Sequence, residues 1–140
     1  MSEYKYPCIK FRISGKPQGK ARARTTKYGS YTPEKTVLYE NYIKLCYQNE
    51  SSYISAKPLY VYIYAFLQIP KNTPKKYIKD MEIGNIRPIK KPDIDNIAKV
   101  ILDALNGIAY KDDTQVIGLT VAKMYARNPF VEVTIQEVGD

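Results

Sequence analysis

The 140-residue sequence contains no histidine and no tryptophan, and it has only two cysteines, Cys8 and Cys46. Without histidine the chain lacks the commonest zinc ligand and the side chain that most often serves as a general base near neutral pH. Two isolated cysteines provide neither a disulfide framework nor metal-ligand spacing. Any chemistry must therefore use carboxylates, lysines, hydroxyls or tyrosines.

Long apolar runs are also missing. No segment approaches the roughly 20 apolar residues that a membrane-spanning helix needs, and the N-terminal MSEYKYPCIK has no continuous apolar core of a signal peptide. We therefore expect a cytoplasmic protein that does not enter a membrane. The length suits a single domain over residues 1–140, and the hydrophobic fraction of 44% and charged fraction of 26% are those of a globular chain.

Acidic residues are few and unevenly placed. The chain has 14 Asp and Glu against 22 Lys and Arg, a net charge of +8. Residues 1–91 hold 18 basic and six acidic residues, whereas residues 92–140 hold four and eight. This division suits a protein that grips a polyanion and also carries a divalent cation. The alternative is a lopsided surface composition without functional meaning.

Hydrophobic periodicity predicts an α+β fold in the order β-α-β-α-β-β, with one mixed sheet and two helices packed against it. The last two strands flank Arg127-Asn128-Pro129 and are interpreted as a hairpin. The long segments 14–32 and 70–92 show no period and are predicted to be loops. The six elements are expected at residues 8–13, 33–49, 59–69, from 94 or 95 to 105, 116–126 and 130–138.

Both predicted helices show an apolar face. In the first, Thr32-Pro33 supplies the start signal, and the residues at helical spacing are Leu38, Tyr42, Leu45 and Cys46. In the second, Asn106-Gly107 supplies the end signal, and the residues expected to be buried are Ile97, Val100, Ile101, Ala104 and Leu105.

The acidic residues of the C-terminal part gather in KKPDIDNIAKVILDALNGIAYKDD, residues 90–113. If the approach to the second helix is extended, Asp93 and Asp95 point to the same side. Lys99 follows Asp95 by one helical turn and shares its face. Asp112 and Asp113 lie in a turn that can fold back beside the start of this helix.

Carboxylates without histidine or thiolate favour Mg²⁺, or Mn²⁺ as a substitute. Such an ion lowers the pKa of an attacking water and neutralises a scissile phosphate, and Lys99 would stabilise the charge that develops there. Each residue also has a structural interpretation: Asp93 or Asp95 as a helix N-cap, Lys99 with Asp103 as a surface pair, and the last two aspartates as a polar turn. Asp103, two turns into the helix, is assigned a structural or supporting role.

The basic residues are concentrated before the first helix, where no acid occurs between Glu3 and Glu34. Arg22 and Arg24 alternate with alanines, so an extended chain would point both toward a DNA backbone. The alternative is a solvated loop. The candidate DNA-contacting residues are Lys16, Lys20, Arg22, Arg24, Lys27, Lys90 and Lys91.

The order P-D-I-D-N-x-x-K-x-x-x-D-A-L-N-G-x-x-Y-x-D-D-x-Q-V, residues 92–116, resembles the signature of the RusA family of Holliday junction resolvases. The resemblance implies that Asp93, Asp95 and Asp113 are metal-binding carboxylates, with Asp112 as the alternative to Asp113, and that Lys99 is the essential lysine. It also implies a homodimer that binds four-way DNA junctions and makes symmetric cuts with Mg²⁺ or Mn²⁺ in DNA recombination and repair.

Two other functions remain open on the sequence. One is a non-catalytic DNA-binding protein with a structural metal site. The other is an enzyme acting on nucleotides or sugar phosphates, in which Asp-x-Asp holds a metal diphosphate. The basic segment before the first helix disfavours this last possibility, because a small diphosphate does not need so long a run of cations.

Overall fold

The computed structural model describes residues 7–139. The predicted α+β class is confirmed, with three helices in this range where two were expected, and none of them is long and apolar enough to cross a membrane. A 3₁₀ turn at Asp113–Gln115 precedes the last two strands. The elements are β1 (Cys8–Ser14), β2 (Arg24–Thr26), β3 (Gly29–Tyr31), α1 (Glu34–Glu50), β4 (Leu59–Gln68), α2 (Lys75–Glu82), α3 (Ile94–Leu105), β5 (Val116–Ala126) and β6 (Phe130–Glu137).

Four strands form one mixed sheet in the order β1-β6-β4-β5. Strand β4 runs parallel to β5 and antiparallel to β6, and β1 runs antiparallel to β6. The sequence of β4 is almost continuously β-branched or aromatic, as expected of a strand with neighbours on both sides. Every second residue of β4, from Leu59 to Leu67, is buried beneath the helices, so this strand forms the centre of the core.

The predicted hairpin of the last two strands is wrong. Strands β5 and β6 exist close to their predicted limits, but β4 lies between them and pairs with both. The connection at residues 127–129 crosses β4 to join β5 to β6, which lie about 10 Å apart. Four extended residue steps of roughly 3.5 Å each are long enough to span this distance. Inserting the most apolar strand between two others buries more surface than a local hairpin would, and this gain is invisible in the turn sequence.

Helix α1 begins at Glu34, one residue later than predicted, with Pro33 at its N-cap, and it buries a different face. Leu38 is 60% exposed, Tyr42 and Leu45 are also exposed, and Cys46 is half-buried. Three of the four buried residues are hydroxyl-bearing side chains whose apolar bodies pack inward. The buried stripe consists of Thr36, Tyr39, Ile43 and Tyr47.

The Tyr47 ring shows why this face is buried. It meets the Phe11 ring of β1 edge to face, with centroids 5.5 Å apart. Its hydroxyl donates to the carbonyl of Tyr53, so the polar tip is satisfied inside the protein. Periodicity in leucine and tyrosine therefore could not distinguish the two stripes of α1, since both are apolar in composition.

The two long loops also contain regular structure. The segment 14–32 forms the small hairpin β2–β3, whose turn uses Gly29 at a φ of +121°, a value that favours glycine. The segment 70–92 contains α2, which starts directly after Pro74. Arg127 Nε lies 3.0 Å from Glu82 Oε2 and joins the end of α2 to the connection between β5 and β6.

Helix α3 packs beside α1 on one side of the sheet. The five residues predicted to face the core are buried, together with Ala98. Tyr110 is also buried, and its hydroxyl donates to the carbonyl of Leu102 at 2.6 Å, which fixes the chain that leaves α3. The opposite, outward face of α3 carries Asp95 and Lys99.

Candidate active site

The first turn of α3 carries two exposed carboxylates. Asp93 occupies the N-cap position with extended backbone angles, φ −71° and ψ 149°, and Asp95 lies two residues later. The Asp93 side chain makes no capping hydrogen bond within residues 7–139, so the N-cap interpretation does not account for it. The partial positive charge of the helix N-terminus makes this turn a favourable place for acidic side chains.

Lys99 extends this acidic turn along the surface of the helix. It follows Asp95 by four residues and precedes Leu102 by three, which places the three residues on one stripe of the helix. Asp95 and Lys99 are exposed on this stripe, and Leu102 is partly buried against the core. The pairing of Lys99 with Asp103 that the sequence left open does not form: in the part of the chain that is described, Asp103 accepts from Lys20 and Lys99 has no ion pair. The Lys99 ammonium is thus exposed and available to an anion.

The structure treats Asp112 and Asp113 differently. Asp112 caps the 3₁₀ turn, accepting from both the backbone N–H and the hydroxyl of Thr114, and the Asp112 backbone N–H donates to the Gln115 side-chain oxygen. Hydrogen bonds from Thr114 hold the pKa of Asp112 below its ordinary value. Asp113 is half-buried and lines a shallow depression with Leu102 and Ile117. Asp112 therefore has a structural task, and Asp113 lies beside the outer stripe of α3.

The acidic groups around the end of α3 all act on the buried hydroxyl of Tyr110. Burial is the main cause that raises the pKa of the Tyr110 hydroxyl, and the negative charges of Asp113, Asp103 and Asp112 add to it in that order. The neutral phenol thus lies in a negative field. A divalent cation placed nearby would reduce this field.

The carboxylates fit a hard divalent ion in kind. Between residues 7 and 139 no lysine or arginine pairs with Asp93, Asp95 or Asp113, and no three acidic or thiol side chains gather into one ligand cluster. Asp113 lies level with Leu102, about 10 Å along the helix from Asp95 at 1.5 Å per residue. Mg²⁺ keeps several waters and binds through one or two protein carboxylates plus substrate phosphate, so the two carboxylates of the first turn are enough in number for such an ion.

A basic groove leads to this acidic turn. It consists of two adjoining cavities of about 410 and 590 Å³ that share Lys16, Pro17, Lys91 and Pro92. A smaller pocket continues from Lys91 and Pro92 to Asp93. None of the described residues that line the two large cavities is acidic. The basic lining residues are Lys16, Arg22, Arg24, Lys35, Lys71, Lys90 and Lys91.

Five of the seven predicted DNA-contacting residues therefore line one groove, and two do not. Lys27 extends over the Tyr28 ring at 5.1 Å in the β2–β3 hairpin, apart from the groove lining. Sequence reasoning missed Lys35 and Lys71. Their only sequence signal is position, since Lys35 lies two residues after Pro33 and Lys71 directly follows Pro70.

Lys20, the other exception, forms an internal clamp. Its ammonium lies 2.8 Å from Glu40 Oε2 on α1 and 3.3 Å from Asp103 Oδ2 on α3. Burial lowers the pKa of Lys20, but hydrogen bonds to the two carboxylates outweigh this and leave it raised. The Lys20 N–H also donates to the carbonyl of Asn96 at 2.9 Å. Asp103 thus has the supporting role that the sequence predicted, and Glu40 was missed.

Gly19 allows the clamped segment to lie directly on α3. A β-carbon at this position would lie 2.9 Å from the β-carbon of Asn96 and 3.2 Å from that of Pro92. Only a glycine backbone comes this close without displacing its neighbours. The segment that carries Lys16 and Arg22 is therefore held against the helix that presents Asp93.

Comparison with known proteins agrees with this arrangement. The profile of the family described as endodeoxyribonuclease RusA matches residues 14–136, a range that includes the basic groove, Lys99 and all the candidate carboxylates. The chain is also 38% identical over 139 residues to the uncharacterized protein YqaN of Bacillus subtilis (strain 168). The aligned region covers 94% of this chain and 98% of that protein. An acid-free groove that ends at an exposed pair of aspartates is thus found in a chain that belongs to the RusA family of endodeoxyribonucleases.

Proposed function

We propose that this protein is a structure-selective endonuclease that resolves four-way DNA junctions by metal-dependent phosphodiester hydrolysis, in the cytoplasm, during DNA recombination and repair. The observation that carries the proposal is the basic groove, which contains no acidic lining residue among those described and ends at Asp93. Membership of an endodeoxyribonuclease family supports the reaction class. A DNA strand in the groove would present a phosphate to the first turn of α3.

Asp93 and Asp95 would hold Mg²⁺, or Mn²⁺ in its place. Asp113, about 10 Å along the helix from Asp95, would act on this ion only through bound water. When bound, such an ion supplies an activated water and neutralises negative charge on the phosphate. Lys99, one turn from Asp95, would place its ammonium beside the phosphate and stabilise the additional charge of the transition state. Lysines and arginines of the groove would hold the backbone in register.

A homodimer would present two such sites to the two strands of a junction, which have two-fold symmetry. Strand β5 supports this part of the proposal. It is 11 residues long and forms an edge of the sheet built by residues 7–139. Ile117 and Leu119 on this strand are 61% and 44% exposed. A long, apolar edge strand needs a covering partner, and a second copy would provide one.

The experiment that tests the function is cutting of an end-labelled four-way junction with Mg²⁺, with Mn²⁺ and with a chelator. The wild-type protein should make symmetric cuts only with metal. Asp95→Asn should cut at least ~100-fold more slowly, since metal ligands matter more than the residues that merely orient them. It should bind the junction as tightly as the wild type or more tightly, because one repulsive charge is removed.

The matched control is Glu50→Gln, which removes one exposed carboxylate at the end of α1, far along the chain from the groove. This variant should bind and cut like the wild type. If the wild type binds the junction with metal present and never cuts it, the protein is the non-catalytic DNA-binding protein of the alternative hypothesis. If Asp95→Asn cuts at the wild-type rate, the assignment of the metal site is wrong.

A further inference from the structure

One half of the basic groove has an apolar floor. This cavity of about 410 Å³, here called the strand-end cavity, lies where β4 ends. Pro17, Leu67 and Ile69 on its floor are buried. Its rim consists of four exposed lysines, Lys16, Lys71, Lys90 and Lys91.

Two backbone hydrogen bonds and one from a lysine side chain hold the walls of the strand-end cavity in place. The Ile69 N–H donates to the carbonyl of Ala126 at 3.0 Å, and the Gly15 N–H donates to that of Pro129 at 3.0 Å. The Lys123 ammonium donates to the carbonyl of Lys90 at 2.6 Å. Three sides of the cavity are thus tied to the sheet, so it is formed before any ligand arrives.

Phosphate binding alone does not explain the buried apolar floor of the strand-end cavity. A duplex that lies on a basic surface keeps its bases stacked inside and offers only phosphates and sugars, which have no use for a buried apolar floor. An unstacked base, by contrast, has two apolar faces and a phosphate attached through its sugar. The volume lies within the roughly 300–1,000 Å³ of ordinary small-ligand sites. An apolar floor beneath a lysine rim therefore matches a single nucleotide.

The location of the cavity indicates which nucleotide. Lys91 and Pro92 line both the strand-end cavity and the pocket that contains Asp93. A nucleotide in the cavity is consequently a near neighbour of the phosphate presented to the acidic turn. We propose that the strand-end cavity takes one unstacked nucleotide of the DNA strand beside the cleaved phosphate, an inference that rests on the proposed function.

The test uses four-way junctions with 2-aminopurine at successive positions on either side of the cut site, bound to the full-length protein with metal chelated. The fluorescence of this base rises when it leaves the stack. One position should show a several-fold rise on binding, and acrylamide should quench it less than the free nucleotide because the base is enclosed. The same junctions are then cut with Mg²⁺ to confirm function.

The double variant Lys71→Glu with Lys90→Glu should remove the rise, because it reverses half of the cationic rim. The matched control, Lys75→Glu with Lys76→Glu, makes the same charge change on exposed residues of α2 that do not line the cavity. It should keep the rise. Thermal unfolding of both variants confirms that each is folded.

The outcomes separate the two proposals. If the junction is cut but no position shows a raised and quencher-protected fluorescence, the strand-end cavity does not take a base and the proposed function stands. If the α2 control loses the rise as fully as the rim variant, general charge and not the cavity causes it, and the inference fails. If the junction is neither bound nor cut, the proposed function fails and the inference fails with it.

Discussion

Replacing Lys20 with methionine tests whether this residue holds the structure together or contacts DNA. The substitution keeps most of the apolar stem and removes the ammonium that joins Glu40 of α1 to Asp103 of α3. Two carboxylates on neighbouring helices would then face each other without a cation. The segment from Lys16 to Arg22 would lose its ionic attachment to α3.

The size of the effect follows from the burial of the three groups. Lys20 and Glu40 side chains are 17% and 15% exposed, and Asp103 is 36% exposed. Exposed pairs contribute about 0–1 kcal/mol, and breaking a fully buried pair costs about 3–5 kcal/mol. We expect a loss of about 2 kcal/mol. With an unfolding entropy of roughly 0.3 kcal/mol/K for this length, the Tm should fall by about 7 °C.

The assay is thermal unfolding followed by circular dichroism at neutral pH, with junction binding measured over a series of salt concentrations. The control is Lys27→Met, since Lys27 is an exposed cation in the β2–β3 hairpin. Its Tm should remain within about 1 °C of wild type. For Lys20→Met, the salt dependence of binding should keep its slope, because a clamped ammonium releases no counterion from DNA.

The opposite result would refute the reasoning. If Lys20→Met melts like the wild type and its salt slope falls by about 1, then Lys20 contacts a phosphate and the clamp contributes nothing to stability. The double variant with Glu40→Gln adds a second check. Coupled groups should show non-additive losses, whereas independent ones add.

Three further predictions concern binding, pH and assembly. Replacing Arg22 and Arg24 with alanine should lower the salt slope of junction binding by about 2, and an unchanged slope would exclude both as backbone contacts. Burial raises the pKa of Tyr39 from 10.0 to about 12, so its contribution to stability, present in full below pH 10, should fall by about 3 kcal/mol as the pH rises to 12. In urea unfolding Tyr39→Phe should lose about 3 kcal/mol less than the wild type over this range, because Tyr110, whose pKa is also raised, still contributes to the loss. Ile117→Lys with Leu119→Lys should convert the proposed dimer to a monomer in light scattering, and an unchanged mass would place the interface elsewhere.

Local sequence patterns were sufficient for the elements that build the core. Strand β4 and helix α3 were predicted to within about a residue, because each carries one dominant period bounded by strong end signals. The same pattern predicted that Asp95 and Lys99 share a face of α3, and the position of Asp103 two turns into the helix indicated a structural or supporting role for it. These properties depend only on positions a few residues apart.

Partner choice and packing faces could not be obtained in this way. Whether β5 pairs with β6 directly or β4 is inserted between them depends on the total apolar area that the sheet buries. Whether Leu38 or Tyr39 turns inward depends on Phe11 and α3, which are distant in sequence. Composition likewise assigned Lys20 to DNA, since nothing local indicates that Glu40 and Asp103 converge on it. Each of these three errors concerns a contact between residues far apart along the chain.

The position of β6 has a consequence for biosynthesis. This strand, the last among residues 7–139, pairs with β1 on one side and with β4 on the other, so it joins β1 to the centre of the sheet. While the ribosome is still translating, β1 has no neighbour, and the sheet cannot close until residues 130–137 have left the exit tunnel. A message interrupted at Arg127 would therefore yield a chain with helix α3 translated and its sheet unassembled, a substrate for proteases and not a partly active protein.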